Sequence, residues 1–451
     1  MKETAVKPPL HYLLYTFLLL VFWLGTGSSG NAITLEECTR AALDNNPDVQ
    51  AGLERIQAAK SMIKQAQSAY YPRLYVSGAY AVTDNPPQAF MMELNQRNLD
   101  IRDPGFDPND PDVTDNLRFS LGLQYRLYNG GMNVLNIRMA EEEKTAKEFQ
   151  LAAVQNELVY QVTRGYYNVL QAQDFVAVQQ ESVESLAESL RVATARFHAG
   201  SVVKTDVLNL DVKLAQAQED LILAANSVQL AIASLNTAIG EDLVSLEGLP
   251  VPTHDKLEER PIRLDFKAIE NRPELKAAEK MSEILEKAYQ KASQAYYPKV
   301  NAFGSYDVDS GDASDFENSY LVGVTAKWEF FDGYQRSSNE RSAKAEWRAA
   351  KKEEKKVYNH LRLDLHQAFL KTSEAWQRLQ VTQKSVENAE EALRITREQY
   401  KEGAADITVL LTAQVGLTAQ KTRSVAAYYD YLSALSNYER ACGEALKKHV
   451  P

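Results

Sequence analysis

The chain has 451 residues, of which 45% are hydrophobic, and its formal net charge is −11. This acidic balance argues against nucleic acid as a partner, because no basic patch stands out. The two cysteines, Cys38 and Cys442, are too few for a disulfide scaffold or a cysteine-rich metal site. They could pair if the two ends of the chain meet, but we expect two separate thiols.

Residues 1–32 are predicted to be a signal peptide. Lys2 and Lys7 form a basic start, an apolar run follows, and small residues lead up to Ala32. An uncleaved anchor is the alternative. We therefore expect an exported protein, and we expect no later stretch with the composition of a membrane helix.

Residues 33–240 form the first of two predicted structural repeats, which begins with a helix and continues with strands at 73–84 and 116–128. In the second strand, Leu117 and Phe119 alternate with Arg118 and Ser120. Segments of about ten residues that alternate in this way are typical of transmembrane β-strands. Half-buried strands of soluble sheets also alternate, so the pattern leaves both interpretations open.

The segment from Asn85 to Asn116 is predicted to be a loop between these strands. It carries the acidic residues Asp103, Asp107, Asp110, Asp112 and Asp115. Their spacing does not fit an EF-hand, so a solvated loop is favoured over a calcium site.

A long helix is predicted at 132–197, followed by a return helix at 204–240. An apolar residue recurs at every seventh position: Val162, Val169, Val176, Val183, Leu190 and Phe197. A sustained period of seven is typical of helices that pack side by side, as in a coiled coil. At 1.5 Å per residue the helix would be roughly 100 Å long, which no compact domain needs.

A linker at 241–260 precedes a second predicted repeat at 261–445. This repeat has a helix, strands at 299–309 and 319–331, a long helix at 334–400 and a return helix at 405–443. Tyr70-Tyr71-Pro72 recurs as Tyr296-Tyr297-Pro298, and Gly200 recurs as Gly403. The chain is therefore a tandem duplication. Thr372 is the one polar member of the heptad series in the second long helix.

Four strands are too few to form a closed barrel. Spanning strands must close, because a sheet edge cannot be left open in lipid, and the smallest single-chain barrels have about eight strands. Several copies must then share one barrel, and three copies would supply twelve strands.

The duplicated motifs resemble those of TolC-like outer-membrane efflux proteins. They are the two Tyr-Tyr-Pro strand entries, the strand-to-helix turns at 127–131 and 330–333, and the two hairpin tips. The resemblance implies an α+β membrane protein with long coiled-coil-like helical hairpins and four transmembrane β-strands per chain. It implies a homotrimer with a β-barrel in the outer membrane of a Gram-negative cell and an α-helical barrel in the periplasm.

The function implied is a passive exit duct of a tripartite efflux or type I secretion system. Its expected partners are outer-membrane lipid, a periplasmic adaptor protein and an inner-membrane transporter. The resemblance also makes the hairpin tips candidates for contact with the adaptor: Gly200, Ser201, Gly403 and Ala404.

In this family aspartate rings often close the periplasmic end, six and nine residues after the tip glycine of the second half. Val409 and Thr412 occupy those positions here, whereas the first half has Asp206 and Asn209. Asp406 could supply a charge nearby. We hypothesise a constriction at 404–412 with hydrophobic and hydroxyl character; the alternative is that Val409 and Leu410 only pack between helices.

No catalytic, cofactor or metal motif is found in the sequence. His360 and His366 lie six positions apart on one helix, which is not metal-ligand spacing, and no phosphate-binding glycine loop occurs. We therefore expect no enzyme and no cofactor. The alternative to a duct is a structural or adhesive protein that spans the periplasm as a coiled coil with a β-strand membrane anchor.

Overall fold

The computed structural model describes residues 33–102, 107–245, 252, 257–260 and 262–444. The predicted signal peptide at 1–32 lies outside the described residues. The helices of the described residues are α1 (Leu35–Asn45), α2 (Pro47–Gln67), α3 (Pro86–Asn95), α4 (Met132–His198), α5 (Lys204–Ile239), α6 (Pro273–Ser293), α7 (Gln335–Lys401) and α8 (Ile407–Cys442). The strands are β1 (Arg73–Thr83), β2 (Thr114–Tyr128), β3 (Lys299–Ser310) and β4 (Glu317–Lys327).

The chain divides into two compact units. We call the first the helical unit, which comprises Met1–Gln50, Val154–Phe266 and Leu363–Pro451, and the second the sheet unit, which comprises Ala51–Ala153 and Lys267–Arg362. Each unit takes segments from both sequence repeats. The repeat boundaries at 33–240 and 261–445 therefore describe the duplication and not the compact units, and they stay a prediction.

The sheet unit is built on one antiparallel sheet with the order β1-β2-β3-β4. Val76 lies opposite Leu121, Leu121 lies opposite Tyr306, and Tyr306 lies opposite Tyr320. This register places the apolar positions of all four strands on one face, because directly paired residues share a face. The prediction of four strands is confirmed, and β1 and β4 form the two edges of the sheet.

Strand β4 ends earlier than its predicted bounds of 319–331. Its last residue, Lys327, pairs with Lys299, the first residue of β3. The residue before Lys299 is Pro298, which has no backbone N–H to donate to a further ladder bond. The indole of Trp328 instead donates to the carbonyl of Tyr296 at 3.1 Å.

The prediction of a loop at 85–116 was wrong at both ends, because α3 forms at its start and β2 begins at Thr114. Pro86 and Pro87 occupy the first turn of α3. Proline is favoured there, since its missing N–H would have no helical partner. The residues that follow include Ala89, which is buried. Asp103 lies outside the described residues, and Asp115 belongs to β2.

Two helices of the sheet unit, α4 and α6, are joined by ion pairs. The Glu142 carboxylate lies 3.0 Å from the Lys280 ammonium and 3.2 Å from the Lys287 ammonium. The ring of Tyr289 on α6 stacks on Trp347 of α7, with ring centres 5.9 Å apart. These contacts hold three helices of this unit together.

The helical unit is held together by the predicted heptad seams. Val162, Val169, Leu365 and Leu379 are all buried. Thr372, the polar member of the series, is buried as well. Its hydroxyl lies 2.8 Å from the carbonyl oxygen of Ala368 and 3.0 Å from that of Ala434, so the buried polar group is satisfied.

Cys38 and Cys442 form no disulfide bond and remain two separate thiols, as expected from the sequence. Burial raises the pKa of the Cys38 thiol to about 11, with a further contribution from the Glu37 carboxylate. A thiol with so high a pKa stays protonated and unreactive at neutral pH.

Helix α5 contradicts the expectation that no stretch after the signal peptide has the composition of a membrane helix. By length and composition, it is apolar enough to cross a membrane, and it is the one described helix of which this is true. Composition alone is a weak indication, since core helices of soluble proteins share it. Several large apolar side chains of α5 are nevertheless exposed, including Ile222, Leu223 and Leu230.

Candidate functional site

Both hairpin tips lie in the helical unit, where α4 turns into α5 and α7 turns into α8. Gly200 and Gly403 have φ values of 72° and 75°. This left-handed conformation strains any residue with a Cβ, which explains why glycine ends each long helix. Ser201 and Ala404, the next residues, are exposed.

Arg196 joins the two hairpins near their tips. Its guanidinium donates to the carbonyl oxygen of Tyr400 at 2.8 Å and also to that of Lys401. The Arg196 Cζ atom lies 5.1 Å from the centre of the Tyr400 ring. A cation at the last carbonyls of α7 compensates the negative end of that helix. This contact was not predicted from the sequence, although a basic residue in a last helical turn is a recognised signal.

A shared apolar core packs the hairpins together behind the tips. Leu186 of α4, Leu210 of α5, Leu393 of α7 and Leu410 of α8 are all buried in it. Leu410 therefore serves helix packing, as the alternative interpretation held. Val409, its neighbour, points away from this core and is 48% exposed.

Asp406 has a structural contact that the sequence analysis did not anticipate. It is the N-cap of α8, and its Oδ1 accepts the N–H of Val409 at 3.0 Å. An aspartate at this position satisfies one of the free donors of the first turn. The carboxylate considered as a gate charge is thus bound to the backbone of its own helix.

The other candidate gate residues lie within the first two turns of α5 and α8. Val409, Thr412 and Asn209 are exposed, whereas Asp206 is half-buried. Asp206 lies near the Tyr400 phenol. Burial raises the pKa of that phenol; the Arg196 guanidinium lowers it, and the Asp206 carboxylate raises it. Asp206 therefore differs in exposure from Val409 and Thr412, since it is half-buried and they are exposed.

The sheet has one apolar and one polar face. Most of the large side chains of the apolar face are exposed, and these are Leu74, Val76, Tyr80, Val82, Phe119, Leu121, Leu123, Leu127, Tyr306, Tyr320, Val322 and Val324. A soluble sheet buries such a face against a second layer. A continuous exposed face of this kind is typical of strands that contact lipid.

The polar face carries a hydrogen-bonded network at the end where β3 finishes. The buried Asp309 carboxylate accepts from Arg118 Nε at 2.7 Å and from Asn116 Nδ2 at 2.6 Å. The side-chain amide of Gln96, the residue that follows α3, donates to Asn116 Oδ1 at 3.0 Å. The end of α3 is therefore attached to the polar face.

Further contacts hold α3 over this face. Met91 and Met92 line a cleft together with Ala79, Ala81 and Arg118, which belong to the polar face of β1 and β2. Arg97 forms an ion pair with Glu317 of β4 at 3.0 Å. The first part of the segment predicted as a solvated loop is thus packed on the sheet, whereas residues 107–110, 112 and 113 are exposed and belong to no helix or strand. Among the described residues, no group of three or more acidic, histidine or cysteine side chains could hold a metal ion.

Comparison with known proteins gives consistent matches over nearly the whole chain. The model of the outer membrane efflux protein family matches residues 39–241 and 266–444. The chain is 22% identical to the outer membrane protein TolC of Vibrio cholerae over 439 residues, which cover 95% of this chain and 94% of that protein. It is 24% identical to the pyoverdine export outer membrane protein OpmQ of Pseudomonas aeruginosa, covering 91% of this chain and 85% of that one. A solved membrane protein from Pseudomonas aeruginosa superposes with a TM-score of 0.80 at 19% identity, covering 92% and 93% of the two chains.

Proposed function

This chain belongs to the outer membrane efflux protein family and is an exit duct of the outer membrane for efflux or type I secretion, and we propose that three copies of it form the duct. The resemblance to TolC-like proteins predicted from the motifs is confirmed. The protein is located in the outer membrane, with its helical part in the periplasm. The family is one of channels, which favours the duct over a structural or adhesive protein.

The observation that carries the proposal is the unfinished sheet. It has four strands, an exposed apolar face, and unpaired edges at β1 and β4. Unpaired backbone groups are costly in lipid, so both edges need partners. Pairing β4 of one copy with β1 of the next continues the antiparallel order. Three copies then give a closed barrel of twelve strands.

The exposed apolar residues of α5 support the same assembly. Leu208, Val212, Ile222 and Leu230 remain uncovered in a single chain. A helix surface of this kind gains stability when a neighbouring copy covers it, at about 25 cal/mol for each Å² of apolar surface buried. We propose that a helix of a neighbouring copy covers this surface of α5 in the trimer.

The proposed duct is passive, and the energy for export comes from its partners. We assign the exposed tip residues Gly200, Ser201, Gly403 and Ala404 to contact with a periplasmic adaptor, which in turn joins an inner-membrane transporter. The support for this assignment is that the tips end each long helix and carry no bulky side chain of their own. No cofactor and no catalytic residue are part of the proposal.

The proposed constriction consists of Val409 and Thr412 from each copy. Both side chains are exposed on α8, on the side away from the buried Leu410 and Leu411. Thr412 bonds its own helix, since its hydroxyl donates to the carbonyl of Thr408 at 2.7 Å. That bond leaves the threonine methyl and the valine side chain available to narrow the passage. Asp206 and Asn209 of α5 are kept as secondary candidates.

The gate is tested with Val409→Gly in purified protein reconstituted in planar bilayers. We expect a higher single-channel conductance in the bilayer, because the constriction loses its side chain. For the same reason we expect greater antibiotic leakage into cells that express the variant. The matched control is Val381→Gly, an exposed valine within α7, which carries the same cost in helix propensity. Equal conductance in the two variants would contradict the gate.

The duct itself is tested with the wild-type protein in the same bilayers. We expect discrete conductance steps that need neither nucleotide nor a proton gradient. A protein that inserts into the bilayer without any conductance would contradict the proposed function.

A further inference from the structure

The helix-side end of the sheet carries one base from every strand on the polar face. The four bases are Arg73 of β1, Arg126 of β2, Lys299 of β3 and Lys327 of β4. Arg73 pairs with Gln124, Arg126 with Asn301, and Lys299 with Lys327. The register continues from Asn301 to Thr325, so all of these residues share the face of Arg118 and Asp309. All four bases are exposed.

These four bases have no counter-ion among the residues that the structure describes. Within the described residues, none of them forms a hydrogen bond or an ion pair. Lys299 and Lys327 even lie directly opposite each other, and like charges in that position are destabilising. Glu329, the nearest acidic residue in the sequence, lies beyond the end of β4.

The carboxylates of the same face are, in contrast, all occupied. Asp309 is paired with Arg118 at 2.7 Å, and Glu317 with Arg97 at 3.0 Å. Asp307 accepts the hydroxyl of Ser305 at 2.9 Å and also that of Ser120. These acids lie towards the other end of the strands. Asp309 and Glu317 are thus compensated by arginines, and Asp307 is hydrogen-bonded to two neutral hydroxyls. The four bases at the other end have no such contact among the described residues.

The bases border a cleft that suits an anionic group. Arg73 and Arg126 line it together with the amides of Gln124 and Asn301 and the ring of Phe303. A guanidinium presents a planar fork that binds carboxylate or phosphate through two hydrogen bonds. The amides add neutral donors, and the aromatic ring offers an apolar surface beside them.

We propose that Arg73, Arg126, Lys299 and Lys327 form a basic ring on the channel wall that selects anionic solutes for export. The inference rests on the proposed trimeric duct, in which the apolar face meets lipid and the polar face lines the passage. Three copies then contribute twelve bases at one level of the barrel. A like-charged ring attracts counter-ions and raises their local concentration. The substrate class is carboxylates, phosphates and other anions.

The test compares the ion selectivity of bilayer-reconstituted full-length proteins under a KCl gradient. We expect wild type to favour chloride, and we expect the double variant Arg126→Glu with Lys327→Glu to lower the ratio of chloride to potassium permeability by about tenfold at low salt. The shift should shrink at high salt, because the screening length falls from about 10 Å at 0.1 M to about 3 Å at 1 M. Lys327→Gln gives a smaller shift in the same direction and serves if the double variant fails to assemble.

The control is Lys355→Glu, which makes the same charge change at an exposed lysine of α7. We expect it to leave the permeability ratio as in wild type. Conducting channels whose ratio is the same in all variants would overturn the basic ring while leaving the duct intact. Protein that inserts but does not conduct in any form would overturn the duct, and the ring with it.

Discussion

At the residue scale, Thr372 shows that a polar residue in an apolar heptad series can join two helices by a hydrogen bond. The sequence placed a threonine where five heptad neighbours are apolar or aromatic, and the residue types alone gave no reason for it. The structure supplies one, because the hydroxyl contacts the Ala434 carbonyl of α8 at 3.0 Å as well as its own helix. A polar seam residue thus joins α7 to α8.

We expect Thr372→Val to lower the midpoint of thermal unfolding of the detergent-solubilised protein. The substitution keeps the shape but removes the hydroxyl that joins α7 to the Ala434 carbonyl of α8, at a cost of about 1 kcal/mol. The control is Thr382→Val, because the Thr382 hydroxyl bonds only Arg378 and Leu379 of its own helix. Equal midpoints for the two variants would show that the bond to α8 contributes nothing.

Tyr438 predicts a dependence on alkaline pH. Its hydroxyl donates to the carbonyl of Arg263 at 2.7 Å. Burial, followed by the Cys442 side chain, raises the pKa of Tyr438 from the usual 10.0 to about 12. Because the fold favours the protonated phenol, this contribution to stability is complete below pH 10 and is lost as the pH rises through about 12.

The measurement is the difference in thermal midpoint between wild type and Tyr438→Phe as a function of pH. The phenylalanine variant lacks the titrating group but keeps the ring, so the difference should shrink between pH 10 and 12. A difference that stays constant over that range would contradict the assignment.

The candidate gate shows what residue patterns can and cannot predict. The positions of the hairpin tips could be predicted from their glycines, because a helix often ends at a residue in the left-handed conformation. The capping role of Asp406 was not anticipated, although an aspartate immediately before a helix is itself an N-cap signal. The exposure of Val409 and the burial of Leu410 could not be separated in the sequence, since that depends on which side of α8 packs against the other hairpin.

At the element scale, alternation predicted the strands and periodicity predicted the long helices. The predicted end of β4 was wrong because the alternation continues through Trp328 and Phe330, past the last residue that β3 can pair. Helix α3 was not predicted, because an acidic, proline-containing segment resembles a loop. Its anchors, Gln96 and Arg97, are distant in sequence from the strand residues that they contact, so no local pattern shows them.

The attachment of α3 is tested with Arg97→Glu, which places a carboxylate opposite Glu317. We expect faster amide hydrogen exchange in α3, by roughly fivefold, because a partly exposed ion pair contributes up to about 1 kcal/mol. The double variant Arg97→Glu with Glu317→Arg restores the pair and should restore the exchange rate. Exchange in α3 that is insensitive to both variants would show that the ion pair does not hold it.

At the scale of the whole molecule, the strand count already required an assembly. Four strands with lipid-type alternation cannot close alone, and the structure adds which strands are left unpaired, β1 and β4. The two compact units could not be predicted from the sequence repeats, because each unit combines segments from both repeats. Which segments pack together depends on contacts between distant parts of the chain.

The charge distribution is also visible only at this scale. A net charge of −11 says nothing about where the charges point. The register of the sheet places the four bases at one end of the polar face and the hydrogen-bonded acids towards the other. An overall acidic chain can therefore carry a cluster of bases on one face of its sheet.

The central claim is that several copies complete one barrel. The most direct measurement is the native mass of the protein extracted from outer membranes in mild detergent. The proposed duct predicts a trimer, in which three four-stranded sheets supply twelve strands. A stable monomer would contradict it, because four strands with two open edges cannot be closed in lipid.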